Sequence, residues 1–138
     1  LFRASKSDPI DYCKENGIGV IVYSPIARGL LTGKYKLGHE FPLDDHRRDH
    51  KAFTKEYVSK GVKVANDLSR WAKDHGRTGT ELAIAWTLAT PGVTSAICGA
   101  KNPDQALQNA EAGSWALTKT QLNEIEDLVA DYCINTRV

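Results

Sequence analysis

Residues 18–35 (IGVIVYSPIARGLLTGKY) and 94–109 (TSAICGAKNPDQALQN) decide the fold class of this chain. Each stretch begins with a short apolar run, apolar on both faces, that is typical of a buried parallel strand. Each run then continues into a loop that carries Gly, Ser, Lys or Arg, and the second loop opens a helix at Asn102-Pro103. Two strand ends that both deliver anion-binding groups predict one phosphate-bearing ligand held between them, and therefore a nucleotide cofactor.

The rest of the chain is mostly helical by pattern. Thr54 is the expected cap of a long amphipathic helix, Thr80 the expected cap of a nearly all-apolar one, and Thr118 with Gln121 forms a capping box. A long irregular stretch, 24–53, separates the first strand from these helices. The predicted order α-β-loop-α-α-β-α-α indicates an α/β class. The predicted helices are 9–16, 54–75, 81–89, 102–112 and 118–132, and the predicted strands are 18–23 and 94–98.

Only two strands are visible in this pattern. A two-stranded parallel sheet is not independently stable and leaves both of its edges open. The 138 residues also contain no methionine and begin at Leu1. We therefore expect the chain to be an incomplete part of a longer sheet protein.

Composition excludes several function classes. A net charge of +1 provides no broad basic surface for nucleic acid, and no apolar run approaches the ~20 residues of a membrane-spanning helix. The three cysteines, Cys13, Cys98 and Cys133, are odd in number and widely spaced, which favours a reducing, cytoplasmic location over a disulfide framework. We expect neither a nucleic-acid partner nor a membrane.

The second loop is the stronger candidate for an anion site. Gly99 would let a ligand approach the backbone closely, and Lys101 precedes a helix start whose free N–H groups favour negative charge. Gln105 and Asn109 lie one helical turn apart on the same face. The alternative is an ordinary strand-to-helix turn followed by solvated polar side chains.

The first loop is a weaker signal by itself. Tyr23-Ser24-Pro25, Arg28-Gly29 and Gly33-Lys34 resemble a loop that cradles phosphate, but they lack the spacing of the P-loop and of the dinucleotide-binding fingerprint. Tyr23 alone would more often be a core or rim aromatic than a stacking platform.

Other polar and aromatic clusters favour structural roles. The segment 44–50 places His46 and His50 four residues apart, but its alternating charges are more typical of a solvated, salt-bridged loop than of a metal site. The three tryptophans are expected to pack helices together, and Cys98 to be an inert thiol on an apolar strand. No nucleophilic catalyst is expected.

The two loops taken together resemble a known family. YSPIARGLLTGK (23–34) and CGAKNPDQALQN (98–109), with ELAIAWTLA (81–89) and GVTSAIC (92–98), are similar to the C-terminal third of the NADP-dependent aldo-keto reductases. The likeness is strongest to the bacterial and potassium-channel-β-like branches, and it spans nearly the whole chain.

This resemblance implies a fold and a set of cofactor contacts. It makes residues 1–138 the C-terminal portion of one (β/α)8 TIM barrel domain, with strands seven and eight at 18–23 and 94–98. Tyr23 would stack on the nicotinamide, and the loop after it would line the pyrophosphate, with Lys34 and a later arginine closing over it. Lys101 stands where many relatives carry Ser. The implied NADP(H) contacts are Tyr23, Ser24, Pro25, Ile26, Ala27, Arg28, Lys34, Arg47 (in preference to Arg48), Gly99, Lys101, Gln105, Gln108 and Asn109.

The resemblance also implies what this chain lacks. The family's catalytic Asp, Tyr, Lys and His belong to earlier strands, and Leu1-Phe2 corresponds to the end of strand six, so we expect no catalytic residue here and no activity of the 138 residues alone. The intact protein would move a hydride between NADPH and a small carbonyl substrate, and the partner of this segment would be the N-terminal part of the barrel. Two alternatives remain: a non-catalytic, NADP-sensing subunit of the potassium-channel-β type, and a fragment that self-assembles as a homo-oligomer.

Overall fold

The computed structural model describes residues 8–50, 53–130 and 132. The element order predicted from the sequence is confirmed, with a 3₁₀ helix, Ala27–Thr32, added inside the stretch expected to be irregular. Leu1-Phe2 and Cys133, to which the sequence assigned a strand end and a thiol, lie outside the described residues. The elements are α1 (Asp8–Glu15), β1 (Val20–Tyr23), α2 (Lys55–Asp74), α3 (Gly79–Leu88), β2 (Val93–Ile97), α4 (Pro103–Gly113) and α5 (Lys119–Ala130).

The two strands pair in parallel, as the sequence predicts. The register places Tyr23 opposite Ile97 and Val20 opposite Val93, with an irregularity just after Val20. The Thr94 hydroxyl donates a hydrogen bond to the Val20 carbonyl oxygen at 2.7 Å and supports the pairing at that irregular position. The described part of the chain is therefore an α/β unit with an unclosed two-stranded sheet.

The strands are less buried than their apolar sequences predict. Ile21, Tyr23 and Ile97 are 65%, 77% and 62% exposed, so the expectation of two fully buried strands is wrong for this chain. Successive side chains of a strand point to opposite faces of the sheet. Helix α3 packs against β2, and within the described residues no further strand covers the other face or pairs with the outer edges.

The core lies among the helices instead of on the sheet. Helix α2 packs against α3, α5 and the 3₁₀ helix, and its predicted apolar stripe is buried. Trp71, Trp86 and Trp115 pack around the same core, which confirms their predicted role. The larger cluster of buried residues is Leu31, Val64, Ala65, Leu68, Ala72, Leu82, Ala83, Ile125 and Val129, and the smaller is Leu30, Tyr35, Phe41, Tyr57, Val58 and Val62.

Helix starts follow local capping chemistry, with one correction. Thr54 caps α2 and Asn102 caps α4, as predicted. The cap of α3 is Thr78 and not Thr80, because only Thr78 has a glutamate three residues later. The Thr78 hydroxyl accepts from the Glu81 backbone N–H, and the Glu81 carboxylate accepts from the Thr78 backbone N–H, so both halves of a capping box are present. No helix in the described ranges is long and apolar enough to cross a membrane.

Candidate functional site

The two polar loops leave the sheet at the same edge. Because Tyr23 pairs with Ile97, Ser24 and Cys98 are the first residues beyond the paired ends of two adjacent parallel strands. The carboxyl ends of parallel strands are where α/β proteins place their ligand-binding groups. The sequence-based expectation that the two strand exits converge is thus met by the strand register.

The loop after β1, residues 24–34, is called the β1 loop here, and its backbone is unusual. Three non-glycine residues in it, Ser24, Ala27 and Arg28, have positive φ angles of 57°, 48° and 55°. Gly29 and Gly33 also have positive φ, at 91° and 75°, where only glycine is unstrained. Left-handed backbone costs a non-glycine residue about 1–2 kcal/mol and concentrates at functional sites.

Buried leucines anchor the β1 loop to the helices. Leu30 and Leu31 are 1% and 6% exposed, and they enter the smaller and the larger core clusters respectively. Gly61 of α2 makes room for Leu30, since a Cβ added at Gly61 would lie 2.2 Å from the Leu30 Cδ2. The half-buried side chains of Ile26 and Ala27 also pack against the larger cluster, so these two residues can offer a ligand mainly backbone.

Arg47 reaches back to the β1 loop from the segment that follows it. Its Nη1 donates hydrogen bonds to the Arg28 carbonyl oxygen at 2.9 Å and to the Tyr35 hydroxyl at 2.7 Å. Arg48 instead donates from Nη1 to the Phe41 carbonyl oxygen at 3.3 Å. The structure therefore brings Arg47, the arginine favoured from the sequence, to the loop, whereas Arg48 contacts backbone elsewhere.

Asp45 holds the other side of the Arg47 guanidinium. The Asp45 carboxylate accepts from the Arg47 backbone N–H at 2.9 Å, from its Nε at 2.8 Å, and from its Nη2. These hydrogen bonds keep the pKa of Asp45 well below its usual range and raise the pKa of Arg47. The guanidinium also lies 4.4 Å from the Phe41 ring centroid. At neutral pH the pair is therefore fully ionised and its charges are mutually compensated.

The side chains of Arg28, Lys34 and Lys101, in the segments that follow the two strands, are exposed. The Lys34 Nζ lies 4.9 Å from the centroid of the neighbouring Tyr35 ring. Tyr23, at 77% exposure, presents an open aromatic ring at the end of β1. Positive groups and an exposed ring at one sheet edge are chemically suited to a phosphate-bearing ligand with an aromatic base.

The loop after β2, residues 98–102, is called the β2 loop here and is tied to α4. The Lys101 backbone N–H donates to the Gln105 Oε1 at 2.8 Å, and the Asn109 Nδ2 donates to the Gly99 carbonyl oxygen at 3.2 Å. Asn102 caps the helix by accepting from the Gln105 N–H at 2.9 Å. The structure thus brings Gly99, Lys101, Gln105 and Asn109 together, while the Lys101 side chain is exposed.

Gln108 is placed differently from its neighbours. Its Nε2 donates to the Thr78 hydroxyl at 3.1 Å, joining α4 to the N-terminus of α3. Thr78 also bonds to Glu81, whose carboxylate accepts from the Arg77 Nη1 at 2.9 Å. Burial acts to raise the pKa of Glu81, but the hydrogen bonds from Thr78 and Arg77 outweigh it and lower that pKa. Gln108 is therefore engaged in a contact between helices.

Sequence reasoning missed three residues that shape this site: Tyr35, Asp45 and Gly61. Within 44–50 the Asp-x-Arg spacing of Asp45 and Arg47 was the available signal, but the alternating charges of this segment were interpreted as a solvated, salt-bridged loop. Among the described residues, no group of three or more His, Cys, Asp and Glu side chains is placed to hold a metal ion. Burial raises the pKa of Cys98, which agrees with the inert thiol expected at the end of β2.

Comparison with known proteins gives one consistent family. The sequence profile described as "Aldo/keto reductase family" matches residues 1–130. The aldo-keto reductase YhdN of Bacillus subtilis (strain 168) is 30% identical over 128 residues, covering 92% of this chain and 39% of that protein. The solved structure of the glycerol dehydrogenase from Gluconobacter oxydans superposes with a TM-score of 0.82 at 27% identity, covering 96% of this chain and 40% of that one.

Two further relatives differ in what their names specify. The aldo-keto reductase yakc of Schizosaccharomyces pombe, which is named as NADP(+)-dependent, is 31% identical over 115 residues, 83% of this chain and 34% of that protein. A probable voltage-gated potassium channel subunit beta of Arabidopsis thaliana is 32% identical over 121 residues, 83% of this chain and 36% of that protein. The chain thus spans 40% or less of the length of each of these four proteins.

Proposed function

The chain belongs to the aldo/keto reductase family, and on that premise we propose that residues 1–138 form the NADP(H)-binding C-terminal portion of a single (β/α)8 barrel domain. The intact protein would be a cytoplasmic oxidoreductase that reduces a small carbonyl compound or oxidises the corresponding alcohol. Its catalytic residues and the remaining strands would lie in the N-terminal part of the barrel. This segment alone would be inactive.

The observation that carries the proposal is the parallel register of Tyr23 with Ile97. It puts the β1 loop and the β2 loop side by side, and they offer complementary groups. In our proposal the β1 loop, with Arg28 and Lys34, lines the pyrophosphate, and the exposed Tyr23 ring packs on the nicotinamide. The bound cofactor would supply the hydride, and the protein its orientation and electrostatic environment.

The adenosine end of the cofactor would lie on the β2 loop. Lys101 would meet the 2′-phosphate beside the N-terminus of α4, where the helix dipole favours an anion. Gln105 and Asn109 would border the adenosine, because their hydrogen bonds to the backbone of the β2 loop hold both side chains beside it. Gln108 would reach the cofactor only by exchanging its hydrogen bond to Thr78.

The test is a fluorescence titration of NADPH and NADH with the full-length protein that carries this sequence. Lys101→Ala should weaken NADPH binding about tenfold, because a charge-assisted hydrogen bond is worth ~1.5–3 kcal/mol, and should leave NADH binding unchanged. Lys119→Ala is the matched control, since Lys119 is an exposed lysine at the first residue of α5. Equal NADPH affinity in Lys101→Ala and the wild type would contradict the adenosine assignment.

A second candidate is a non-catalytic, NADP-sensing subunit, and the similarity to the potassium channel subunit favours keeping it. Both candidates bind the cofactor, so a single-turnover experiment separates them. Full-length protein loaded with NADPH is mixed with an excess of an aromatic aldehyde, and oxidation of the bound cofactor is followed by its absorbance. Rapid oxidation followed by turnover supports the enzyme, whereas slow oxidation without turnover supports the sensing subunit.

A further inference from the structure

Asp45 and Tyr35, which are outside the predicted cofactor contacts, both form hydrogen bonds with Arg47. Four N–H donors of the Arg47 guanidinium have partners: two face Asp45, one the Arg28 carbonyl oxygen, and one the Tyr35 hydroxyl. The Asp45 and Arg47 side chains are only 16% and 17% exposed. The Arg47 side chain is therefore fixed by hydrogen bonds in a largely buried position.

We propose that Asp45 is a positioning residue for NADP(H) binding, acting through Arg47 and Tyr35 to hold the β1 loop in its left-handed conformation. The inference rests on the proposed function of that loop. Arg28, whose φ is +55°, is the residue whose carbonyl Arg47 binds. The hydrogen bond therefore acts directly on the strained part of the backbone.

Close packing at Gly29 explains why the contact demands a fixed guanidinium. A Cβ added at Gly29 would lie 3.4 Å from the Arg47 Nη1 and 3.8 Å from the Tyr35 hydroxyl oxygen. The planar fork of arginine bonds Asp45 on one side and the loop on the other, which a single ammonium point charge does not reproduce. The Tyr35 ring is buried, so the acceptor that it supplies is also fixed in place.

A positioning role of Asp45 and a purely electrostatic role predict opposite changes in dinucleotide affinity for the same substitution, Asp45→Asn. If Asp45 affected the site only through its charge, then Asp45→Asn would leave Arg47 uncompensated and would strengthen binding of an anionic dinucleotide. If Asp45 holds Arg47 in place, the same change loosens the β1 loop and weakens binding despite the added positive charge. The direction of the effect therefore decides between them.

The experiment uses the full-length protein and measures the NADPH Kd by fluorescence titration, with kcat and KM from steady-state turnover. We expect Asp45→Asn to raise the Kd and the KM for NADPH about tenfold, the lower end for the loss of a charge-assisted hydrogen bond, with kcat at saturating NADPH unchanged. Asp44→Asn is the matched control, because Asp44 is an exposed neighbour and its change alters net charge equally. It should leave the Kd within about twofold of wild type.

A second variant keeps the inference testable if Asp45→Asn folds poorly. Tyr35→Phe removes only the acceptor hydroxyl and should raise the NADPH Kd about fivefold, which corresponds to the loss of a hydrogen bond of typical net strength. Unchanged or tighter binding in both variants would overturn the positioning role. If the wild-type protein binds no NADPH, the proposed function itself fails, which is a distinguishable result.

Discussion

Replacing Gly61 tests how strongly the helices determine the shape of the β1 loop. A Cβ at this position of α2 would lie 2.2 Å from the Leu30 Cδ2 and 2.7 Å from its Cγ. Favourable carbon–carbon contact begins near 3.5 Å, so the added Cβ and the Leu30 Cδ2 must move apart by about 1.3 Å. Leu30 is 1% exposed and packs within the smaller core cluster, so we expect the movement to pass into the 3₁₀ helix of the loop.

Two opposing effects set the size of the change for Gly61→Ala. Overpacking a well-packed core costs roughly 1–3 kcal/mol. Alanine in place of glycine inside a helix gains about 1 kcal/mol. We expect a net loss of about 1 kcal/mol in the free energy of unfolding, with weaker NADPH binding because Leu30 follows Arg28 and Gly29 directly.

Urea unfolding of the full-length protein measures this change, and a double-mutant cycle isolates its cause. Leu30→Ala alone should cost about 2–5 kcal/mol, but it removes the clashing atoms. Adding Gly61→Ala to it should then be neutral or stabilising, a coupling of about 1–2 kcal/mol. Gly113→Ala is the control, since among the described residues its added Cβ meets only the Leu88 Cδ1, at 4.0 Å. Additive single effects, or a Gly61→Ala variant as stable as Gly113→Ala, would refute the steric argument.

Three further variants or measurements follow from buried groups. Ser69→Ala should raise stability by about 1 kcal/mol in thermal unfolding, because the Ser69 hydroxyl is buried without a hydrogen-bond partner in the described residues; a loss of stability would contradict this. The lowered pKa of Glu81 means that its ionised form stabilises the fold above its unfolded pKa of ~4.3 and that this contribution is lost as pH falls through the folded value. Glu81→Gln should therefore cost about 1–3 kcal/mol at pH 7 and less at pH 3, measured by urea unfolding, and an equal cost at both would count against it. Iodoacetamide at pH 7 should modify Cys98 more slowly than it modifies glutathione, because burial raises the pKa of this thiol; equal rates by mass spectrometry would show otherwise.

The sequence predicts those parts of this structure that depend on local chemistry. Thr54, Asn102 and Thr118 mark helix starts because a side-chain oxygen three residues before an N–H can satisfy it, whatever the rest of the fold does. The parallel pairing of β1 with β2 was predictable because apolar strands separated by helices leave few other arrangements. Where two threonines competed, at 78 and 80, the glutamate at 81 decides the cap, and that signal was present in the sequence.

Features that arise between distant segments were not predictable in the same way. Positive φ angles at Ser24, Ala27 and Arg28 contradict the intrinsic preference of each residue and persist only because other parts of the chain hold them. Ile21 and Ile97 are exposed because the sheet of the described residues has only two strands. The residue types within a strand do not indicate how many other strands pack around it. The contact of Arg47 with the Arg28 carbonyl joins residues 19 positions apart across an irregular stretch.

The energetics of the β1 loop explain why its conformation is determined by contacts with the helices and not by the sheet. Three left-handed non-glycine residues cost about 1–2 kcal/mol each, or roughly 3–6 kcal/mol together. Burying the side chains of Leu30 and Leu31 contributes about 1.5–3 kcal/mol each, which is of the same size. The hydrogen bond from Arg47 to the Arg28 carbonyl oxygen then favours the observed conformation. Because these anchors lie in α2 and in residues 35–47, the loop can be shaped for a ligand before that ligand arrives, even though the strand that precedes it is largely exposed.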